Sequence, residues 1–462
     1  MDVLAIIAGI VVVVWGTVYS LRGSLIYGCL TFLIVGLCFG REFFKFDIGP
    51  FPLSLDRVLP GVLVIIYVIQ RRLGLADPKP VAWPDVAMLL LAMVLVFSTF
   101  SHDWELDAAG KRSVWELVAG FLVPMAVYWI ARQSPIDQRT LLTTYVVLVL
   151  IGVYLAVTAL AEITKQWWLV YPSYIADPKV GLHFGRARGP MVHSQPLGLY
   201  LNMCLLCLWM LRRYLGRVGT LILILLIPLF LAAIFVTYTR CVWISTGLCG
   251  LVVLGLPMSN RWRVAILGPA LVAALFLVVF QWENLVRIER QEGAAVSELS
   301  ARSRASFTYV SWKMFLDHPL WGVGYGQFQQ AALPYLADRS TSLYLEDIRN
   351  QPNHNTFLAM LNETGLIGFG LFVAMLGNWA IQSWRLWRNT ATHDWVRAQG
   401  LMMLGALAIY LGPALFVDLR FGPEAQQITF FLAGLTSGLA AGVSASPAKY
   451  AKELTFRADN AY

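Results

Sequence analysis

Charge is what this sequence has least of. Only 13% of its 462 residues are Asp, Glu, Lys or Arg, about half of what a soluble globular chain carries to stay dissolved. A soluble chain of this length would divide into about two to four domains, each needing a charged surface that is missing here. A soluble multidomain enzyme is therefore excluded. Cysteine is scarce too: Cys29, Cys38, Cys204, Cys207, Cys241 and Cys249 all lie in or beside apolar runs. Cys204 and Cys207 form a CxxC inside an apolar stretch with no second pair, so packing is favoured over zinc or redox chemistry. No Walker loop or nucleophile elbow occurs, and His102, His183, His193, His318 and His393 show no metal-binding spacing; no metal and no cofactor is expected. The glycines at 322, 324 and 326 follow no strand and so make no dinucleotide motif. Met1-Asp2-Val3 lacks a basic n-region, and no small-residue cleavage site follows. The first apolar run is expected to be a retained helix.

What the chain has in excess is apolar residues. Hydrophobic types make up 58%, with 25 Phe, 18 Tyr and 17 Trp, and mean hydropathy is +0.65. A spanning helix needs about 20 mostly apolar residues. Such runs occupy 3–20, 24–40, 58–70, 84–101, 114–131, 141–162, 193–211, 219–238, 241–258, 264–282, 355–383, 400–417 and 425–445. The expected fold is an all-α polytopic membrane protein with 12–13 transmembrane helices; the 58–70 run is the short one. The alternating pattern of a barrel is absent, and only helices or closed barrels satisfy their backbone in lipid. The organisation expected is N-terminal helices over 1–162, central helices over 163–282, a long polar loop over 283–354, C-terminal helices over 355–445 and a tail over 446–462. A loop as long as 283–354 is uncommon and usually functional. Within it, Ser303-Arg304 opens a run with Phe307, Val310, Met314 and Phe315 at helical spacing, closed by Asp317-His318-Pro319. With that loop placed outside, the inner connectors hold 17 basic residues against 11 outside the loop itself. This imbalance orients the loop away from the cytoplasm. The net charge of +8 then reflects orientation and anionic ligands, and nucleic acid is not expected as a partner.

Ionisable residues at the edges of spans are functional candidates by default. Arg240, in Thr237-Tyr238-Thr239-Arg240-Cys241, has apolar helix on both sides and no acid nearby in sequence. Arg186 and Arg188 lie just before the 193–211 span. With Arg304 these residues fall on one side of the membrane in this topology. Guanidinium groups bind phosphate bidentately and stay charged, and a cluster facing away from the cytoplasm suits a lipid-linked phosphate or diphosphate. His354 closes the long loop and opens the 355–383 span. A histidine there can serve as a general base. His193 follows the Arg186 segment and is a second-rank candidate.

Several segments together resemble one family. Arg186-Ala187-Arg188-Gly189-Pro190-Met191-Val192-His193 is similar to its Arg-x-x-Gly segment, and Thr239-Arg240 to its Ser/Thr-Arg pair. Arg304 with its helix, then His318-Pro319-Leu320-Trp321-Gly322-Val323-Gly324-Tyr325-Gly326, resembles the long-loop signature. His354-Asn355-Thr356-Phe357-Leu358, running on to Glu363-Thr364-Gly365-Leu366-Ile367-Gly368, is the most distinctive match. The family is the O-antigen ligase and polymerase superfamily of bacterial envelope polysaccharide assembly, and the resemblance spans about residues 180–385. His193-Ser194-Gln195-Pro196 departs from it where many members carry a Pro-Asn pair. The resemblance implies a metal-independent glycosyltransferase of the cytoplasmic (inner) membrane. It would take an undecaprenyl diphosphate-linked glycan as donor, act on a glycan, lipid or protein acceptor, and face the periplasm. It implies His354 as base and Arg240 with Arg186 or Arg188 as diphosphate ligands. Arg304 would be a weaker ligand, and His193, Asn355 and Glu363 would lend support.

Two other classes fit less well. A transporter or flippase for lipid-linked glycans would want ionisable residues at midplane and internal repeats, and neither is evident. A non-catalytic scaffold would not need arginines gathered on one face.

Overall fold

The structure is a computed structural model that describes residues 23–38, 46–48, 51–102, 113–214, 216–259, 261 and 294–451. The expected spans 3–20 and 264–282 lie outside the described residues, as does the reading of a retained first helix.

The other eleven expected spans are all helices. They are α1 (Leu25–Cys38), α2 (Leu55–Arg72), α3 (Trp83–Phe100), α4 (Ser113–Arg132), α5 (Gln138–Ile163), α6 (Ser194–Leu211), α7 (Arg217–Phe235) and α8 (Arg240–Gly255). After the long loop's own helix α9 (Ala294–Asp317) come α10 (Thr356–Arg388), α11 (Asp394–Ala414) and α12 (Pro423–Ala445). Eight of these are long and apolar enough to cross a bilayer: α3 to α7 and α10 to α12. α1 and α8 are shorter apolar helices. α2 is different: it begins with Asp56 and Arg57, ends on Arg71 and Arg72, and turns Val58, Val62, Ile65 and Ile69 outward as one stripe. A short antiparallel hairpin that the apolar pattern did not suggest pairs β1 (Phe46–Ile48) with β2 (Phe51–Leu53). α9 ends at Asp317 as expected but begins nine residues before Ser303.

The arrangement of burial is that of a bundle in lipid. In α6, 89% of the apolar window is buried, against 28% in α7, so α6 is central and α7 peripheral. The outward residues of α7, among them Leu221, Ile224 and Leu225, are large and apolar. In water such a patch would aggregate; in a bilayer it is the lipid contact. Five of the six cysteines are buried, and Cys204 packs where α6 meets Gly152 of α5.

Helix contacts sort the chain's ends into two faces. α11 runs antiparallel to α8, with Gly412 on Ser245 and Gly405 on Val253, so Arg240 and the 415–422 turn share one end. Asn355 Nδ2 donates to Leu415 O (2.8 Å) and Thr356 Oγ1 to Val417 O (3.0 Å), which brings the start of α10 to that end. Ala187 N donates to Val236 O (3.1 Å), which brings the Arg186 segment there too. This end is the mouth. At the opposite end Lys79 Nζ donates to Arg132 O (3.0 Å) and Ser134 O (2.7 Å). Gly438 packs on Arg132 there, and Thr392 bridges to Ala451. Arg71, Arg72, Arg385, Arg388 and Lys449 collect at this second end.

α10 is broken. Gly365 has φ 62° and ψ −165° in mid-helix, a combination essentially restricted to glycine. The loop 319–324 repairs the break. Val323 N donates to Asn362 O (2.9 Å) and Gly324 N to Glu363 O (3.0 Å). In return Leu366 N donates to Pro319 O (2.8 Å) and Ile367 N to Leu320 O (3.3 Å). The groups orphaned by the break are thereby satisfied inside the membrane region, as they must be. Gly322 and Gly324 take φ 70° and 104° to make this approach, which is what the alternate glycines are for.

Candidate active site

The start of α10 is fixed on three sides. Asn355 is its N-cap: Oδ1 accepts from Phe357 N (2.9 Å) and Leu358 N (3.0 Å), meeting donors that a helix start leaves unpaired. Asn353 Oδ1 accepts from Asn355 N (3.1 Å), and its Nδ2 donates to Ser311 Oγ of α9 (2.9 Å). His354 is thus held between α9 and the 415–422 turn. Its ring stacks on Phe307, centroids 4.7 Å apart, and its Nδ1 lies 2.9 Å from Pro352 O. A carbonyl can only accept, so the neutral ring carries its proton on Nδ1 and keeps the Nε2 lone pair. Packing of protein around the ring lowers the His354 pKa below the usual histidine value. Hydrogen bonds with the Asn353 and Pro352 backbone oppose this, while the Arg304 cation adds to it. The imidazole is exposed, neutral and oriented, the state a general base requires.

Arg304 sits one turn before Phe307 on the same face of α9. Its guanidinium lies 5.6 Å from the Phe416 ring centroid, a cation–π contact that ties α9 to the 415–422 turn. Arg304 and His354 are therefore neighbours.

Arg186, His193 and Arg240 stand on the other side of the same turn. Arg240 is the first residue of α8, and its N-cap Thr239 donates from Oγ1 to Ser194 Oγ (3.3 Å). His193 stacks on His183 at 5.7 Å. Burial, then His183 and Arg186, push its pKa down to about 4, so it is neutral and beside the Arg186 charge. Gly422 packs on Pro196, joining this group to the turn. Val192 and Tyr238, next to these residues, adopt φ 45° and 47°. Left-handed backbone at non-glycine residues, Val192 above all, is strained and collects at functional sites.

Arg188, one of the two arginines left open by the sequence, is closed off. Its side chain is 0% exposed; Nε bonds Glu162 Oε1 (3.1 Å), Nη1 donates to Val180 O (2.7 Å) and Nη2 to Ile175 O (2.7 Å). Glu162 Oε2 also accepts from Arg188 N (2.7 Å) and Gly189 N (3.1 Å). This guanidinium holds the loop before α6 in shape and has no fork to spare for a ligand.

Below the mouth lies a charged network that sequence reasoning missed apart from Glu363. Arg420 binds Glu363 with both terminal nitrogens (2.5 and 3.1 Å) and Asp418 through Nε (2.8 Å) and Nη2 (2.5 Å). Gly326 N donates to Glu363 Oε2 (3.0 Å), and the guanidinium stands 4.9 Å from the Tyr325 ring centroid. Side chains of the Glu363–Arg420 pair are 2% exposed. α4 opens into a π turn, Val118–Leu122, where Gly120 packs on Arg420; such turns often mark functional sites. The signal was present: Arg420 is an arginine in a short connection between two spans, as Arg240 is. Glu116, Gln329 and Asn353 line a small polar pocket over this pair.

Residues 221–373, a third of the chain, match a family model described as O-antigen ligase. No curated protein matches the chain. The matched segment carries Arg240, Arg304, His354 and Glu363, so over that third of its length the chain is similar to the O-antigen ligase family. By its helices the chain is a multi-pass membrane protein.

Proposed function

We propose that this protein transfers a glycan from an undecaprenyl diphosphate-linked donor to a hydroxyl-bearing acceptor at the mouth of the bundle. The acceptor hydroxyl has a pKa far above neutrality, so it must lose its proton as it attacks the anomeric carbon. His354 Nε2 takes that proton while the bond from the anomeric carbon to the diphosphate oxygen breaks. Negative charge develops on the departing diphosphate, and Arg240 and Arg186 receive it, with Arg304 as a third, weaker contact. Fixed guanidinium forks in a site partly shielded from water stabilise such charge strongly. The sugar–diphosphate bond supplies the driving force. The observation that carries this reading is the pinned His354 ring, with Nδ1 engaged on Pro352 O beside Arg304, at the same end of the bundle as Arg240 and Arg186. In this reading Asn355 positions the base, Glu363 with Arg420 positions the loop beneath it, and His193 supports Arg186.

The test is His354→Gln in purified protein, measuring transfer from a lipid-linked donor. A loss of about 10²–10⁴-fold is expected, and undiminished transfer would refute the assignment. The reading also has the mouth facing the periplasm of the inner membrane. In Ser340→Cys, the exposed thiol on the long loop should then react with an impermeant reagent added to intact spheroplasts; labelling only after lysis reverses the orientation. Accumulation of single lipid-linked units in cells lacking the protein would mark a polymerase, and accumulation of extended chains a ligase.

A further inference from the structure

At the end of the bundle away from His354, the last turns of α10 and α12 separate, and residues 80–82 before α3 close the third side. The space between them is a cavity of about 450 Å³, in the range that holds small ligands. Its walls differ in chemistry. Ala440, Ala441 and Ala445 of α12 form a smooth apolar wall. Opposite them stand Gln382 and Arg385, three apart and so on one face of α10, with Asn389, the residue that caps its end.

That face presents donors. Gln382 uses Oε1 on Ser437 Oγ (2.8 Å), which leaves its Nε2. Asn389 uses Oδ1 on Ala391 N (3.2 Å), which leaves its Nδ2. The Arg385 side chain is exposed and, among the described residues, makes no ion pair or hydrogen bond. Three other cations at this end are occupied: Arg132 with Asp85 (2.8 Å), Arg397 with Asp394 (3.3 Å), and Lys79 on two backbone oxygens. Two flanking indoles set the depth. Trp83 and Trp384 are 78% and 43% exposed, and tryptophan turned outward at the end of a span sits at the headgroup level.

We propose that this cavity binds the headgroup of an anionic, hydroxyl-bearing phospholipid, with its phosphate on Arg385 between the two side-chain amides. An arginine fork matches phosphate geometry, and basic pockets between spans are suited to anionic headgroups. The last carbonyls of α12, beyond the Gly442 oxygen that Ser446 N caps, offer acceptors for headgroup hydroxyls together with Ser444. A choline headgroup has no donor to offer them and would set its own cation beside Arg385. This site is independent of the glycan-transfer reading, since it lies at the other end of the molecule.

The test uses the full-length protein in neutral detergent, measuring its thermal unfolding midpoint with phosphatidylglycerol, phosphatidylcholine or inorganic phosphate added. Phosphatidylglycerol should raise the midpoint, and the other two should not. Arg385→Gln and Ala441→Trp, the second filling the cavity, should each abolish the rise while transfer in detergent stays at the parental level. If either fails to fold, the other reads the result. Equal rises with both lipids, the same rise with free phosphate, no rise at all, or a phosphatidylglycerol effect that survives substitution would each overturn the proposal.

Discussion

Replacing Gly365 by alanine tests how much of this structure depends on the break in α10. A Cβ on Gly365 would overlap the carbonyl of Leu320, and the φ of 62° with ψ of −165° disfavours any side chain. The conformation alone costs about 1–3 kcal/mol. To make room, the 319–324 loop must also withdraw, surrendering the four backbone bonds that cross the break. Each carries about 1 kcal/mol net, and more when its partners are left dry. The expected loss therefore exceeds about 4 kcal/mol by these figures. Gly370, on the same helix, has open space around its Cβ position, and alanine there should be neutral or stabilise by up to about 1 kcal/mol. The two substitutions are chemically identical and opposite in expected sign. Tryptophan-monitored thermal unfolding of both purified variants in detergent would show it. If Gly365→Ala unfolds at the same temperature as Gly370→Ala, the account of the broken helix is wrong.

Three further outcomes are expected. Transfer should fall on the acid side as His354 takes a proton, with a midpoint below the ordinary histidine value of about 6.5, because packing disfavours the imidazolium. The sign carries over to stability: the folded state binds that proton less readily than the unfolded chain, so His354 contributes a penalty that grows as pH falls below about 6.5. A pH–rate profile lacking this acid limb would count against the base. Arg188→Ala strands Glu162 in a buried site, a loss of about 3–5 kcal/mol visible as poor membrane expression. Arg186→Gln should raise KM for the lipid-linked donor, and a KM left at the parental value would take Arg186 out of donor binding. Arg420→Lys cannot hold Glu363 and Asp418 with two forks, so kcat should drop by about tenfold or more while KM for donor stays near parental, and a change confined to KM would place Arg420 in donor binding instead.

The helices were legible because lipid imposes one rule on every span, a run of about 20 apolar residues. That rule does not see side-chain partners. It found the 58–70 run but not which of its apolar residues, Val58, Val62, Ile65 and Ile69, turn outward as a stripe. The candidate residues on the mouth were found because an arginine between apolar runs is conspicuous whatever surrounds it. What separates Arg186 from Arg188 is a carboxylate 26 positions upstream, Glu162, brought close only by the loop folding back on α5. The same holds for Arg420, whose partner Glu363 is 57 residues away and inside a span. Gly365 reads in the sequence as one more small residue of a membrane helix; its conformation depends on a loop some forty residues earlier.

The long loop has its own small interior, in which Phe307, Val310 and Met314 of α9 meet Phe328, Leu336 and Ile348, apart from the large interior of the bundle. His354 lies on the seam, stacked on Phe307 from one side and anchored through Asn355 and Leu415 from the other. Eight buried residues hold together less firmly than a whole bundle, so heating should release this extramembrane lobe first. Turnover would then vanish while the helical signal of the membrane part is still nearly intact, and the working temperature of the protein would be set by its lesser lobe.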